Sequence, residues 1–131
     1  MVLKFQNFHK TDIPYITINV QDKPLNMIVD TGCGLSLIHK KVVDTLKVEK
    51  SPRKISISAL TDDSLSPEVV VIPITIDDTE VREDFGIYNG PEDMANFQSL
   101  YGITIHGILG TEFFQNTECI IDYSTHTVKL L

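Results

Sequence analysis

Apolar and polar residues alternate with a period of two along much of this chain, the repeat of a half-buried strand. Residues 15–20 (Tyr-Ile-Thr-Ile-Asn-Val) keep the alternation, Gln21-Asp22-Lys23-Pro24 interrupts it, and residues 25–30 restore it. Two such runs around a turn cluster predict a β-hairpin over 15–30. Residues 1–8 set Val2, Lys4 and Gln6 against Leu3, Phe5 and Asn7, which predicts one half-buried edge strand. Strands are also expected over 55–59, 69–76 and 81–88, with a bulge or sheet edge at Pro73. The polar stretch 61–68 between the first two reads as an exposed loop.

Two short helices interrupt the strands. Ser36 is expected to cap one over 39–46, with Val42, Val43 and Leu46 on one face. Pro91, Glu92 and Asp93 suit the start of another over 91–101, which Gly102 ends. Residues 103–109 are mostly apolar and stop at Gly110, and Thr111 caps a short helical turn through Phe114. Residues 118–123 and 127–131 then form a closing hairpin around Ser124-Thr125-His126. No linker and no internal repeat breaks the chain, so residues 1–131 are expected to form a single, mainly β domain.

The 131 residues are 42% hydrophobic and 22% charged, enough apolar material for one core. The longest apolar runs are far shorter than the roughly 18–20 residues of a membrane helix. The N-terminal residues contain no apolar signal-peptide core, so a cytoplasmic protein is expected. A net charge of −7 argues against nucleic acid or an anionic membrane as partner. Cys33 and Cys119 have no metal-like or redox spacing and read as reduced thiols. His9, His39, His106 and His126 show no paired spacing, so neither a metal ion nor a cofactor is expected.

The most informative stretch is Met27-Ile28-Val29-Asp30-Thr31-Gly32-Cys33-Gly34-Leu35-Ser36. Three apolar residues run into Asp30 and a tight turn follows, so a buried strand delivers a carboxylate to a bend lined with backbone N–H groups. Acid–base chemistry requires a carboxylate held in this way on a rigid element. Further on, His106-Gly107-Ile108-Leu109-Gly110 repeats the pattern of two apolar residues before a glycine.

Ile28, Val29, Asp30, Thr31, Gly32, Cys33 and Ser36, followed in order by Ile108-Leu109-Gly110, a short helix and a terminal hairpin, resemble the retropepsin-like aspartic proteases. The resemblance runs over nearly the whole chain, residues 13–131. It implies the acid-protease fold, a closed β-barrel with one or two short helices. It also implies an aspartic endopeptidase with Asp30, Thr31 and Gly32 as its catalytic loop, supported by Ile108, Leu109 and Gly110. The substrate-covering flap would fall on Ala59, Leu60, Thr61, Asp62 and Asp63. Such chemistry uses two carboxylates that share a proton. The sequence holds one Asp-Thr-Gly, so the resemblance implies a two-fold homodimer with one Asp30 from each subunit and a peptide or protein as substrate. Terminal strands, residues 1–8 and 127–131, are the expected interface.

Other readings stand beside this one. Asp30 can be the cap of a turn in a non-catalytic peptide-binding or dimerisation module that retains the barrel. Thr31 is either a hydroxyl bonded across the two-fold axis or an ordinary turn residue. Gly110 is read as a close approach to the catalytic loop or as a strand-to-helix turn. Cys33 stands where the family usually has alanine; it reads as a small hydrophobe, or as a thiol nucleophile that needs a partner such as His39. Gly32-Cys33-Gly34 imitates half of a dinucleotide fingerprint, but Leu37 occupies the third glycine position and excludes it. The flap stretch lacks a tip glycine and carries adjacent carboxylates, a solvated loop or a selector of basic or polar peptides. Asp122 reads as structural.

Overall fold

Each of the two long hairpins turns on a residue pair with positive φ: Gln21 (50°) and Asp22 (63°) in one, Asp77 (46°) and Asp78 (65°) in the other. Consecutive positive φ values make a two-residue turn whose twist matches the paired strands. In this computed structural model, which describes residues 1–7, 13–53, 68–89 and 102–130, the turns join β3 (Pro14–Val20) to β4 (Lys23–Val29) and β7 (Val69–Ile76) to β8 (Thr79–Tyr88). The turn cluster read from the sequence is therefore shorter in the fold, since Lys23 and Pro24 already pair with Val20 and Asn19. The strand expected over 55–59 and the helix over 91–101 lie outside the described residues, as do all five flap residues.

The remaining elements are β1 (Val2–Lys4), β2 (Gln6–Asn7), β5 (Ser36–His39), α1 (Lys40–Val43), β6 (Glu49–Lys50), β9 (Gly107–Leu109), α2 (Thr111–Asn116), β10 (Ile120–Asp122) and β11 (Thr127–Lys129). The large sheet runs β2-β3-β4-β9-β5-β8-β7-β6 and closes where β3 meets β7 at Asn19 and Thr75. Six strands, β3-β4-β9-β5-β8-β7, thus make a closed barrel, the mainly β architecture that the resemblance implies. Its interior is built by period two: on β4, Leu25, Met27 and Val29 are buried while Asn26 and Ile28 are only half-buried. Ile16, Ile18, Ile38, Ile72, Ile74, Phe85, Leu109 and Phe113 belong to the same core, each worth about 1.5–3 kcal/mol of transfer free energy when fully buried.

Three expectations change. Residues 1–8 are not one strand: β1 pairs with β11, β2 pairs with β3, and Phe5 between them turns the chain from the small sheet into the barrel. The Phe5 ring meets Tyr123 edge-on at 5.3 Å and anchors the crossing, although the residue keeps the alternating pattern. Ser36 does not cap a helix over 39–46. It begins β5, while buried His39 caps the four-residue α1 by accepting the Lys41 N–H at Nδ1 (3.1 Å). Pro73 makes no bulge, since the β7–β8 ladder stays in register through Pro73 opposite Arg82, but the alternative expectation of an edge holds locally. On the other side of β7 its neighbours pair at residues 70–71 and 75, so among the described residues no strand pairs at 73, where proline has no N–H to give.

The closing hairpin is present, with Ile120 opposite Lys129 and Asp122 opposite Thr127. β11 lies between β10 and β1 in a three-stranded sheet, so both of its edges are used within the chain. Among the described residues, no helix is long and apolar enough to cross a membrane.

Candidate active site

Asp30 follows β4 directly, and the alternation that sends Val29 inward sends Asp30 to the outer side of the barrel. Its backbone is fixed on two sides: the Asp30 N–H donates to the Leu109 carbonyl (3.0 Å), and its own carbonyl accepts the Cys33 N–H (3.1 Å). Its side chain turns back over the bend, where Oδ1 accepts the Gly32 N–H at 2.9 Å. A Cβ at Gly32 would stand 3.2 Å from that oxygen, so glycine lets the backbone close on the carboxylate. Asp30 is half-buried, while Thr31 and Gly32 are exposed. A carboxylate oriented by a backbone N–H and open to solvent can hold a water and exchange a proton with it.

The support beneath this loop comes from far along the sequence. β9 runs parallel to β4, with Ile108 opposite Ile28 and Leu109 opposite Val29, and antiparallel to β5 on its other side. It therefore threads between the strands that enter and leave the Asp30 loop. Gly110 ends it, and a Cβ there would lie 2.6 Å from the Cys33 carbonyl oxygen and 3.0 Å from that of Gly34. Of the two readings of Gly110, close approach to the loop is the one the geometry requires.

The Gly110 N–H donates to the buried Ser36 hydroxyl (3.0 Å), and the first two N–H groups of α2 continue the pattern. Thr111 donates to the Cys33 carbonyl (2.7 Å) and Glu112 to the Gly34 carbonyl (3.0 Å). Thr111 is not the helix cap; Gly110 holds that position. The Thr111 hydroxyl donates instead to the Thr31 carbonyl at 2.7 Å. Asp30, Thr31, Gly32, Ile108, Leu109 and Gly110 are thus brought together. The flap residues Ala59, Leu60, Thr61, Asp62 and Asp63 lie outside the described residues.

The roles of Ser36 and Thr111 in joining loop to helix are not readable from local pattern, because each partner lies more than 70 positions away. The only local trace is a hydroxyl beside each motif, at Ser36 after the Asp-Thr-Gly turn and at Thr111 after Leu109-Gly110.

Cys33 has the environment of a structural thiol. Its Sγ donates to the Leu35 carbonyl (3.0 Å), and burial, then the nearby Asp30 charge, push its pKa up. Both effects hold it as the thiol, the poor nucleophile. The His39 ring is committed to capping α1 and stands edge-on to Tyr88 with centroids 5.9 Å apart. Asp122 serves a turn: its Oδ1 accepts the Ser124 and Thr125 N–H groups (2.8 and 3.3 Å), and hydrogen bonds to Ser124 hold its pKa down at about 2. Among the described residues, no group of three His, Cys, Asp or Glu is placed to hold a metal ion.

A second polar cluster lies along α2, from Glu112 in its first turn to Asn116 at its end. Arg53 pairs with Glu112 and with Asp84 (3.6 Å), and the Asn116 amide donates to buried Glu83 at 3.0 Å. Burial pushes the Glu83 pKa up, offset by the hydrogen bond from Asn116.

The same fold is found in solved proteins. The retroviral protease-like domain of Ddi1 from Leishmania major aligns at a TM-score of 0.61 and 11% identity, over 92% of this chain and 90% of that one. A retropepsin-like aspartic protease from Rickettsia conorii aligns at a TM-score of 0.61 and 15% identity, over 98% of this chain and 86% of its own. At such identities the likeness shows the fold. No curated protein matches the chain. The sequence model described as aspartyl protease matches residues 16–113, a span from β3 into α2 that includes both the Asp30 loop and the strand beneath it. With that match over most of its length and a retropepsin-like barrel around it, the chain belongs to the aspartyl protease family.

Proposed function

We propose that this chain is an aspartic endopeptidase that works as a two-fold homodimer, with one Asp30 from each subunit forming the active pair. The observation that carries this reading is the Asp30 carboxylate itself, open to solvent and held by the Gly32 N–H on a loop fastened to β9 and α2. A turn cap does not require that bracing. One such loop per chain is half of a catalytic pair, and a two-fold axis supplies the other half.

In this mechanism a water lies between the two carboxylates. The ionised one takes a proton from the water as its oxygen bonds to the peptide carbonyl carbon. The protonated one gives its proton to the carbonyl oxygen, which forms a tetrahedral diol. In the collapse of the diol the protonated carboxyl gives its proton to the amine nitrogen, the C–N bond breaks, and the ionised carboxylate takes a proton from a diol hydroxyl, so the pair stays singly protonated. Thr31 steadies the paired loops, and residues 59–63 cover an extended peptide substrate. The small sheet is the proposed interface. Its outer strands β1 and β10 place exposed Val2 and Ile120 on either side of Lys129.

The test is a mixing experiment with Asp30→Asn. The variant should fold like the wild type, because an amide oxygen can still accept the Gly32 N–H, and it should cleave no peptide in a diverse library. Equilibrated with wild type at a fixed total concentration above that needed for dimerisation, it should lower activity as the square of the wild-type fraction. A linear fall would place a complete site within each subunit and overturn the shared pair.

A further inference from the structure

His106 and Asn26 are joined by two reciprocal hydrogen bonds at the start of the parallel β4–β9 pairing. The His106 N–H donates to the Asn26 carbonyl (2.8 Å), and the Asn26 N–H donates to the His106 ring at Nδ1 (2.9 Å). The second bond is unusual in kind, since a backbone donor between strands normally meets a backbone carbonyl. It can form only while Nδ1 holds a lone pair, so the neutral ring must carry its proton on Nε2.

The surrounding bonds make this a junction. The Asn26 side chain accepts from the Thr17 hydroxyl (2.9 Å) and donates to the Thr104 carbonyl (3.0 Å). The His106 carbonyl accepts the His39 N–H (3.0 Å), which ties the same point to β5. The residues that follow are Gly107, Ile108 and Leu109, and the Leu109 carbonyl holds the Asp30 N–H.

We propose that His106 is a positioning residue whose neutral ring clamps β9 to β4 beneath the Asp30 loop, and that protonation at Nδ1 releases the clamp. The consequence for catalysis rests on the peptidase reading, whereas the clamp itself can be observed without any substrate. A protonated Nδ1 presents N–H to the Asn26 N–H, so the contact changes from a bond to a repulsion.

The charged groups that share the ring's cleft supply no counter-charge for a protonated ring. Lys23 from β4 and Lys41 from α1 line the same cleft as His106, and no carboxylate stands among the described residues that line it. His39 contributes a ring already fixed at the α1 cap. Burial lowers the His106 pKa from its ordinary 6.5. A depressed folded-state value means that the clamp is whole above the unfolded value and is lost as pH falls through the folded one. The chain thus carries an acid limit distinct from the acid chemistry of its carboxylates.

The test is amide hydrogen exchange followed by NMR from pH 7.5 downward, with the His106 ring titrated in the same samples. Protection factors for the Asn26 amide should fall at least about tenfold, the factor for one lost hydrogen bond, as the His106 ring protonates. The Asp30 amide should lose protection in the same range. His106→Asn supplies an oxygen near the position of Nδ1 that does not titrate, so it should keep Asn26 protected through that range. His106→Phe should leave the amide unprotected at every pH. If wild-type Asn26 stays protected while His106 titrates, or if His106→Asn loses protection at the same pH as wild type, the clamp is overturned.

Discussion

The Cys33 carbonyl oxygen lies 2.6 Å from the point where a Cβ on Gly110 would stand. The next atoms in reach, the Gly34 carbonyl oxygen and the Leu35 carbonyl carbon, both at 3.0 Å, are also backbone, so none can swing aside as a side-chain tip does. The end of β9 and the Asp30 loop are therefore packed backbone against backbone.

Gly110→Ala should force them apart. Overpacking of this kind costs about 1–3 kcal/mol, and the displacement falls on the loop that carries Asp30. A lower unfolding midpoint in denaturant should accompany a larger loss of peptidase rate. Gly34→Ala is the matched control, with no atom within 4 Å of its added methyl, and should stay within about 0.5 kcal/mol of wild type. Equal effects from the two substitutions would contradict the close packing.

Ser36→Ala removes the acceptor of the Gly110 N–H at a buried position. An orphaned buried donor costs about 1–3 kcal/mol. Ser36→Thr keeps the hydroxyl and should recover part of that loss if the added methyl is accommodated. Thermal unfolding of the three proteins measures this, and an unchanged midpoint for Ser36→Ala would show that water replaces the hydroxyl.

These two positions mark how far the sequence could be read. The β3–β4 hairpin was legible because its information is local: alternating residues on either side of a turn cluster. The Asp30 loop was legible because a run of apolar residues before Asp-Thr-Gly has few other uses. Ser36 carries the sequence signal of a helix cap, a hydroxyl before an apolar stretch, while its actual partner lies at Gly110. The split of residues 1–7 into two strands was hidden because Phe5 keeps the alternating pattern while the chain passes between sheets. The His106–Asn26 pair gave no signal, since half of it is backbone. Local order is written in neighbouring residues, whereas the bracing of the site depends on pairings that only the closed barrel creates.

Glu83 offers a stability test outside the Asp30 loop. Its pKa is raised by burial, so the folded state favours the protonated form. A carboxyl raised in the fold contributes fully below the unfolded value, about 4.3, and loses that contribution as pH rises through the folded value. Glu83→Gln mimics the protonated form and keeps an oxygen for the Asn116 amide. It should raise the melting temperature by a few degrees at pH 7 and have little effect near pH 3.5. A variant less stable than wild type at pH 7 would show that the ionised Glu83–Asn116 bond outweighs the burial penalty.

Salt and pH together separate dimer formation from chemistry. In the proposed dimer two carboxylates across a two-fold axis repel when both are ionised, so the pair would hold a single proton over a limited pH range. Peptidase activity should therefore follow a bell-shaped profile with an acidic or mildly acidic optimum. Each chain also carries a net charge of −7, and the long-range repulsion between two copies grows as pH rises. Added salt screens that repulsion over a Debye length of about 8–10 Å near physiological strength, but it acts little on charges in direct contact. At limiting protein concentration near pH 7, raising ionic strength from about 0.01 to 0.15 M should increase both the dimer fraction and the cleavage rate. At saturating protein concentration the rate should respond far less, and the acid limb should hold its position. Sedimentation at each salt concentration gives the dimer fraction, and rates on one peptide substrate give the profile. A chain that stays monomeric under all of these conditions and still cleaves would remove the paired Asp30 mechanism. A profile flat from pH 4 to 8 in a stable dimer would remove the shared proton.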